Sequence, residues 1–332
     1  MPTRPSKSLF HILRRMSDGA FHSGQDLARE FQISRGSIFN ALNQAEAMGL
    51  AVHAVRGKGY RIPVPVEWLN EAAVSHHLGQ ASVAFDVHIL DSVDSTNNAL
   101  MMAAASGAPD GTVFCAEHQQ AGKGRRGRQW HAVLGGSLTF SVLCRFDQGL
   151  QALSGLSLAV GMAVARAVNR HSRHPASLKW PNDVLVDYRK LAGILVEVQG
   201  DMDGDAFAVV GIGLNVRLSE AQRDAVDQAV VDLAEMGVNV GRNQLLADCL
   251  MELQLILTRF RRDGFSALRD EWMALDAYAD KAVALLVPDA RVVNGVAAGV
   301  DEAGAFLLRD HVGVLNAFSG GEISLRLDRD GR

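Results

Sequence analysis

Gln32-Ile33-Ser34 joins two short amphipathic runs, and this junction narrows the folding choices of the N-terminal sixty residues more than any other feature. Leu9, Ile12, Leu13 and Met16 recur at helical spacing. Ser23 opens a second run with Asp26 three residues on, a variant of the capping box, and Leu27 and Phe31 form its inner face. Ser34 caps a third run, whose Ile38, Ala41, Leu42, Ala45 and Met48 turn inward, and Gly49 supplies a C-terminal stop. Two helices around so tight a turn make a helix-turn-helix. Leu50–Val55, the basic tip Arg56-Gly57-Lys58-Gly59 and Tyr60–Ile62 then read as a hairpin, which makes the motif a winged one.

In such a module the third helix enters the major groove and the wing meets phosphates. The candidate DNA contacts are Ser34, Arg35, Ser37, Asn40, Asn43, Gln44, Arg56 and Lys58. Asn and Gln read adenine edges, and Arg reads guanine or holds a phosphate. The helix carries Arg35 as its one cation and also the anion Glu46, so a scaffold that docks only on protein stands as the other reading.

Charge divides the chain at the same place. Residues 1–66 hold nine Lys/Arg against four Asp/Glu, whereas the whole chain is at −4. A basic module on an acidic body points to nucleic acid at one end only. With 332 residues there is room for two or three domains, and 48% hydrophobic with 21% charged residues is ordinary for a globular protein. Cys115, Cys144 and Cys249 are far apart, which predicts neither a zinc site nor a disulfide framework and fits a reducing cytoplasm. The first residues lack the layout of a signal peptide. The most apolar run, Leu153 to Val168, carries Ser154, Ser157 and Arg166. At about 16 residues it is short for a bilayer of roughly 30 Å and reads as a buried core helix, so no membrane partner is expected.

Residues 119–130 read Gln-Gln-Ala-Gly-Lys-Gly-Arg-Arg-Gly-Arg-Gln-Trp. Lys123, Arg125, Arg126 and Arg128 are set among Gly122, Gly124 and Gly127, and Trp130 adds a flat apolar wall. Glycine lets the backbone approach a ligand closely, and Arg grips phosphate or carboxylate with two parallel hydrogen bonds. The segment is no P-loop, for it lacks the lead-in and the hydroxyl. It fits Gly-x-Gly-x-x-Gly formally, but no helical period follows Arg128. A solvated basic loop that touches nucleic acid is the plainer alternative.

Pro63-Val64-Pro65 is a stiff connector. Beyond it Val83–Leu90, Val113–Glu117, Leu138–Leu143, Val184–Val186, Lys190–Glu197 and Val209–Val216 read as strands. Asp94-Ser95-Thr96-Asn97 leads into a helix, and a helix cap by itself accounts for Asp94 and Ser95. Pro181-Asn182-Asp183 is by default a turn, and Lys190 entering an apolar strand by default snorkels to solvent. Leu245–Phe260 is an amphipathic helix. Val283–Val287, Val292–Gly299, Phe306–Arg309, Val312–Phe318 and Ile323–Leu327 are five short candidate strands with a turn at Asp301–Gly304, which suggests a small barrel.

This order of modules, with Asp94-Ser95-Thr96-Asn97, Lys179-Trp180-Pro181-Asn182-Asp183, Arg189-Lys190-Leu191-Ala192-Gly193-Ile194 and Gly320-Gly321-Glu322-Ile323-Ser324-Leu325-Arg326, resembles the bifunctional biotin protein ligase/biotin operon repressor family over nearly the whole chain. The resemblance implies an α/β (α+β) protein: a winged helix-turn-helix at 1–65, a mixed-sheet catalytic domain of the biotin/lipoate ligase type at 66–274, and an SH3-like barrel at 275–332. It implies ligation of biotin, through biotinyl-5′-AMP made from ATP with Mg²⁺, to a lysine of a biotin carboxyl carrier protein. It also implies an adenylate-responsive homodimer on operator DNA. Biotin would be held by Ser95, Thr96, Asn97, Gln119, Gly122, Lys123, Gly124, Arg125, Trp130, Lys190, Gly193 and Gly211. The adenylate would be held by Arg125, Arg126, Arg128, Asn182, Asp183, Asn215 and Arg326, with Lys190, Arg125 and Lys123 catalytic and Asp183 touching the magnesium of ATP. For Arg326 a surface position at a strand end is the other reading. Three departures from the family stand out: a less basic third helix, Lys123 where Arg is common, and no tryptophan after Leu218 to cover adenine. A lipoate or octanoate ligase of the same fold, or a ligand sensor without catalysis, are the rival functions.

Overall fold

The computed structural model describes residues 8–226, 228–287, 291–320 and 323–327, so Gly321 and Glu322 of the last motif lie outside the described residues. Three helices, α1 (Leu9–Arg15), α2 (Gly24–Glu30) and α3 (Arg35–Ala47), enclose a core of Leu9, Ile12, Leu13, Leu27, Ile38 and Leu42, all buried. Ser23 Oγ accepts from the amides of Gln25 and Asp26, and Ser34 Oγ accepts from Ser37 N at 3.0 Å. Asp26 turns toward Arg29 instead of closing a capping box. Strands β1 (His53–Val55) and β2 (Gly59–Arg61) form the wing, with Arg56 and Lys58 exposed at its tip.

The chain continues through α4 (Glu71–Leu78), β3 (Asp86–Val93), α5 (Thr96–Ala105), β4 (Thr112–Gln119), β5 (Ser137–Phe146), α6 (Leu156–Asn169), β6 (Ser177–Lys179), β7 (Asp183–Val186), β8 (Arg189–Gly200), β9 (Ala206–Asn215), α7 (Glu220–Asp224), α8 (Arg242–Asp263) and α9 (Arg269–Leu275). Its seven strands lie in the order β3-β4-β5-β9-β8-β7-β6, with β3 and β4 parallel and the other neighbours antiparallel. The first strand begins three residues later than its apolar pattern predicts. Gly79–Ala84 is a 3₁₀ turn that leaves Val83 93% exposed, and β3 then runs on to Val93 beside Gln119.

Strand alternation sorts the sheet into two unlike faces. On β9, Ala208, Val210, Ile212 and Leu214 join the core under α6 and α8, while Val209, Gly211, Gly213 and Asn215 point the other way, Val209 packing under α5. The register puts Ser141, Gly211 and Leu195 in one row and Thr139, Gly213 and Gly193 in the next. The second face is therefore paved with small and polar residues, and the site lies on it. With the preceding 3₁₀ turn, α6 forms a helical run of 20 residues, Leu150–Asn169. It is longer than its apolar pattern suggests and long and apolar enough to cross a membrane by composition alone, yet most of it is packed inside the protein.

The last strands, β10 (Ala282–Leu286), β11 (Val292–Val300), β12 (Phe306–Arg309), β13 (Leu315–Phe318) and β14 (Ser324–Leu327), form an antiparallel sheet in the order β13-β12-β11-β10-β14, consistent with an SH3-like barrel. The strand expected from Val312 starts at Leu315, because Asp310 Oδ1 accepts from Val312 N and Val314 N and Gly313 takes φ +88°, which makes a turn there. The winged helix is tied to the body that carries the seven-stranded sheet through Trp68, whose Nε1 donates to Ser17 Oγ at 2.5 Å and whose ring meets Phe10 edge-on. Buried Arg242 and Glu117 pair at 2.7 Å and hold the connector: Arg242 donates to Glu67 O, and Glu117 accepts from Leu69 N. The three cysteines are buried and free.

Candidate active site

A cavity of about 660 Å³ opens over the small-residue face of the sheet. Its floor is Gly193, Gly211 and Gly213. A Cβ on Gly211 would meet Asn97 Oδ1 at 2.1 Å, and one on Gly213 would meet the Trp130 indole at 2.3 Å. Glycine is required here by close approach, so Gly213 joins the site although the sequence reading had singled out only Gly193 and Gly211. The period-2 spacing of Gly211 and Gly213 was the available signal.

One end of the cavity is a buried polar pocket at the start of α5. Ser95 caps the helix, its Oγ accepting from Asn98 N at 3.5 Å. Ser95, Thr96 and Asn97 are all at most 3% exposed, more than a surface cap would need. Gln119 Oε1 accepts from Thr96 N at 2.8 Å and lies 3.1 Å from Thr96 Oγ1. Asn97 also lines the cavity, but its amide is committed to protein: Nδ2 donates to Glu197 Oε2 at 2.8 Å, and Oδ1 accepts from Ser141 Oγ at 2.6 Å. Ser141 and Glu197 are supporting groups that the sequence reading did not single out. They come from strands remote in sequence, and no local motif announces them.

The other end is cationic. Lys190 Nζ lies 2.7 Å from Asp183 Oδ1, off the direction of a proper hydrogen bond, and 5.8 Å from the centre of the Trp130 indole. Lys190 does not snorkel to solvent; it is anchored over the floor. The Trp130 Nε1 is buried with no hydrogen-bond partner among the described residues. Arg125 donates to Asn182 Oδ1 at 3.1 Å and to Gly320 O, while Asn182 Nδ2 donates to Ile194 O at 2.8 Å. Burial pulls the Arg125 and Lys179 pKa values below their usual range, and Asp183 opposes that in both. Lys179, also on the cavity wall, adds a further cation, which the Lys179–Asp183 motif carries without marking it as a site residue. Lys123, Arg126 and Arg128 line the cavity mouth, and Arg126 holds φ +59° in the loop. Lys123 is half-exposed and lies 3.6 Å from Glu197 Oε1.

The remaining predicted positions divide. Gly124 lines the cavity, whereas Gly122 packs behind it, where a Cβ would meet Trp130 O at 2.6 Å. Asn215 lines it too, and its Nδ2 donates to Val231 O at 3.1 Å and Lys190 O at 3.3 Å, tying the 229–233 segment to β8. Arg326 is exposed on β14 opposite Ala284, outside the cavity lining, near enough to Lys179 to repel it. Asp183 is a poor resident site for magnesium: it faces Lys190, and no group of three or more metal-ligating side chains occurs among the described residues. The third wall consists of Leu218, Ala225, Val226 and Val230, joined by Met48, Gly49 and Leu50 from the end of α3. Arg35, Ser37, Asn40 and Asn43 form the outer side of that helix with Phe39, which is 51% exposed. Ser34 is exposed at its start, and Gln44 is half-buried.

Family models place this geometry among known proteins. The biotin/lipoate A/B protein ligase family matches residues 89–215, an HTH domain matches 8–61, and the biotin protein ligase C-terminal domain matches 279–326. The chain is 36% identical over 315 residues to the bifunctional ligase/repressor BirA of Salmonella typhimurium, covering 95% of this chain and 96% of that one. This chain belongs to the bifunctional ligase/repressor family. It is also 36% identical to the biotin–[acetyl-CoA-carboxylase] ligase of Mycobacterium tuberculosis, covering 72% of this chain and 90% of that one. The Aquifex aeolicus biotin protein ligase in complex with biotin and ATP superposes with a TM-score of 0.62 at 29% identity, covering 73% of this chain and 99% of that one. The match to the full-length relative spans 95% of the chain, and the residues matched by the HTH model include Met48, Gly49 and Leu50 of the cavity wall.

Proposed function

We propose that this protein is a biotin–protein ligase that condenses biotin with ATP in this cavity and passes the biotinyl group to a lysine of a biotin carboxyl carrier protein, and that the filled state represses biotin synthesis at operator DNA. One observation carries the reading: a neutral hydrogen-bonding pocket and a cluster of cations stand at opposite ends of one glycine floor. Biotin has the matching polarity, with a neutral ureido ring at one end and a carboxylate at the other.

Ser95, Thr96 and Gln119 hold the ureido group, and Trp130 covers the ring system and valeryl chain above Gly193, Gly211 and Gly213. Lys190 receives the carboxylate. A carboxylate oxygen attacks the α-phosphorus and pyrophosphate leaves, so an anion approaches an anion. Lys190, Arg125 and Lys123 offset that repulsion, and most strongly where charge builds in the transition state. Asp183, 2.7 Å from Lys190 Nζ, holds that side chain over the glycine floor. Arg126, Arg128 and, from the C-terminal sheet, Arg326 serve the phosphates, and magnesium enters with the triphosphate. Asn182 positions Arg125 beside the adenylate. The aliphatic wall of Leu218, Val226 and Val230 covers adenine in place of the missing tryptophan. In the second step a lysine amine attacks the acyl carbon and AMP leaves. Closure of the 119–130 loop shields the mixed anhydride from water.

Repression would use the winged helix as a homodimer, each copy reading a half-site. Biotin-dependent ATP–pyrophosphate exchange, run beside the same assay with lipoate or octanoate, tests the chemistry. Exchange with biotin alone supports the reading, and exchange with lipoate alone overturns it. DNA anisotropy with and without biotin plus Mg-ATP tests the repressor.

A further inference from the structure

The biotin-head pocket is built so that its Thr96 hydroxyl can only accept, and the reason lies beyond Ser141 and Asn97. A carboxylate accepts hydrogen bonds and does not donate them. Glu197 Oε2 lies 2.8 Å from the Asn97 amide, and Leu195 O, also only an acceptor, lies 3.3 Å from the same atom. Asn97 must therefore turn its NH₂ toward β8 and its oxygen toward Ser141. That oxygen, 2.6 Å from Ser141 Oγ, takes the one proton Ser141 has. The 2.7 Å contact between Ser141 and Thr96 then needs its proton from Thr96. The Thr96 hydroxyl proton is thus committed to the protein, toward Ser141 Oγ and Gln119 Oε1, and the hydroxyl offers a lone pair to the cavity.

We propose that Glu197 is a specificity-determining, positioning residue that sets the polarity of this chain, Glu197–Asn97–Ser141–Thr96, so that the pocket demands an N–H donor from its ligand. Ser141, the middle of the chain, is fully buried and does not line the cavity, so its proton passes only between protein groups and the polarity holds along the chain. Glu197 itself is 32% exposed and lies 3.6 Å from Lys123 Nζ. This inference rests on Thr96 facing the ureido group.

The test measures binding of biotin, and of a biotin analogue with the ureido nitrogens methylated, to the full chain by titration calorimetry. Wild type, Thr96→Ala, Ser141→Ala, Glu197→Leu and Glu197→Gln are compared, with ATP binding and thermal melts as controls on folding. Wild type is expected to prefer biotin at least tenfold. Glu197→Leu and Glu197→Gln, which remove or weaken the shorter of the two contacts that orient the Asn97 amide, are expected to weaken biotin about tenfold, to narrow the preference, and to leave ATP affinity within twofold. The Ser141→Ala and Glu197→Gln effects are expected to be less than additive. Biotin affinity within twofold of wild type in both Glu197 variants, with Thr96→Ala strongly impaired, overturns the relay and leaves the site intact. An unaffected Thr96→Ala overturns the placement of the ureido group itself.

Discussion

The two ends of the cavity are made of opposite materials. The neutral end is sheet and helix start, at most 9% exposed at Ser95, Thr96, Asn97 and Gln119, and its polar groups are held by one another. The cationic end is mostly loop and strand end, with Lys123 at 43% exposure, and its charges outnumber the acids beside them. A group that recognises a fixed, neutral shape gains from rigidity, because each donor and acceptor is pre-aimed. A group that neutralises phosphates does not need one geometry and loses little by moving. The same contrast separates two ion pairs: Arg242–Glu117 is sealed among backbone partners and holds the connector, whereas Lys190–Asp183 opens on the cavity.

The largest test of that contrast is Lys190→Ala. If Lys190 meets the carboxylate and phosphate as proposed, its removal should lower the rate of adenylate formation by about 10³-fold and leave the melting temperature nearly unchanged, as single-turnover assays and calorimetry would show. Gly213→Val should follow. Its Cβ would be driven into the Trp130 indole, so kcat/KM for biotin should drop by about 10²-fold, and overpacking should cost about 1–3 kcal/mol. If turnover survives, the indole is not fixed over the floor. Glu117→Ala should act on stability and hardly on chemistry, costing about 3–5 kcal/mol because it strands a buried guanidinium; urea unfolding of the full chain reads it. Arg56→Ala and Lys58→Ala should each weaken DNA binding uniformly across sequences and reduce the salt slope by about 1, with ligation untouched.

A further effect is confined to pH. Burial raises the Asp276 carboxyl from its ordinary 3.8 to about 6. Because the folded state holds this proton more tightly than the unfolded state, stability falls as pH rises from about 4 to about 6. Asp276→Asn should therefore stabilise the protein at pH 7, by up to about 3 kcal/mol, and the gain should vanish near pH 4. Equal melting shifts at pH 4 and pH 7 would falsify that assignment.

Much of this was written locally. Ser34, the inward apolar positions of α3 and Gly49 suffice to specify a capped helix after a tight turn, because capping and 3.6-residue periodicity act within a few residues. The glycines and cations of 119–130 stand out for the same reason, and the structure puts Lys123, Gly124, Arg125, Arg126 and Arg128 on the cavity lining. Ser95 and Asp183 were legible as positions but not as roles: a helix cap and a turn explain both until the sheet register brings Lys190 to Asp183. The apolar stretch at Val83 misled because hydrophobicity alone does not separate a strand from a 3₁₀ turn.

Tertiary structure alone decided what meets across the sheet. Glu197, Asn97 and Ser141 are about fifty to a hundred residues apart in pairs, and the end of α3 reaches a wall of the ligand cavity. Local propensity carries no record of such partners. They are selected by strand register, which turns every second residue toward the cavity and decides which neutral and charged groups must satisfy one another there.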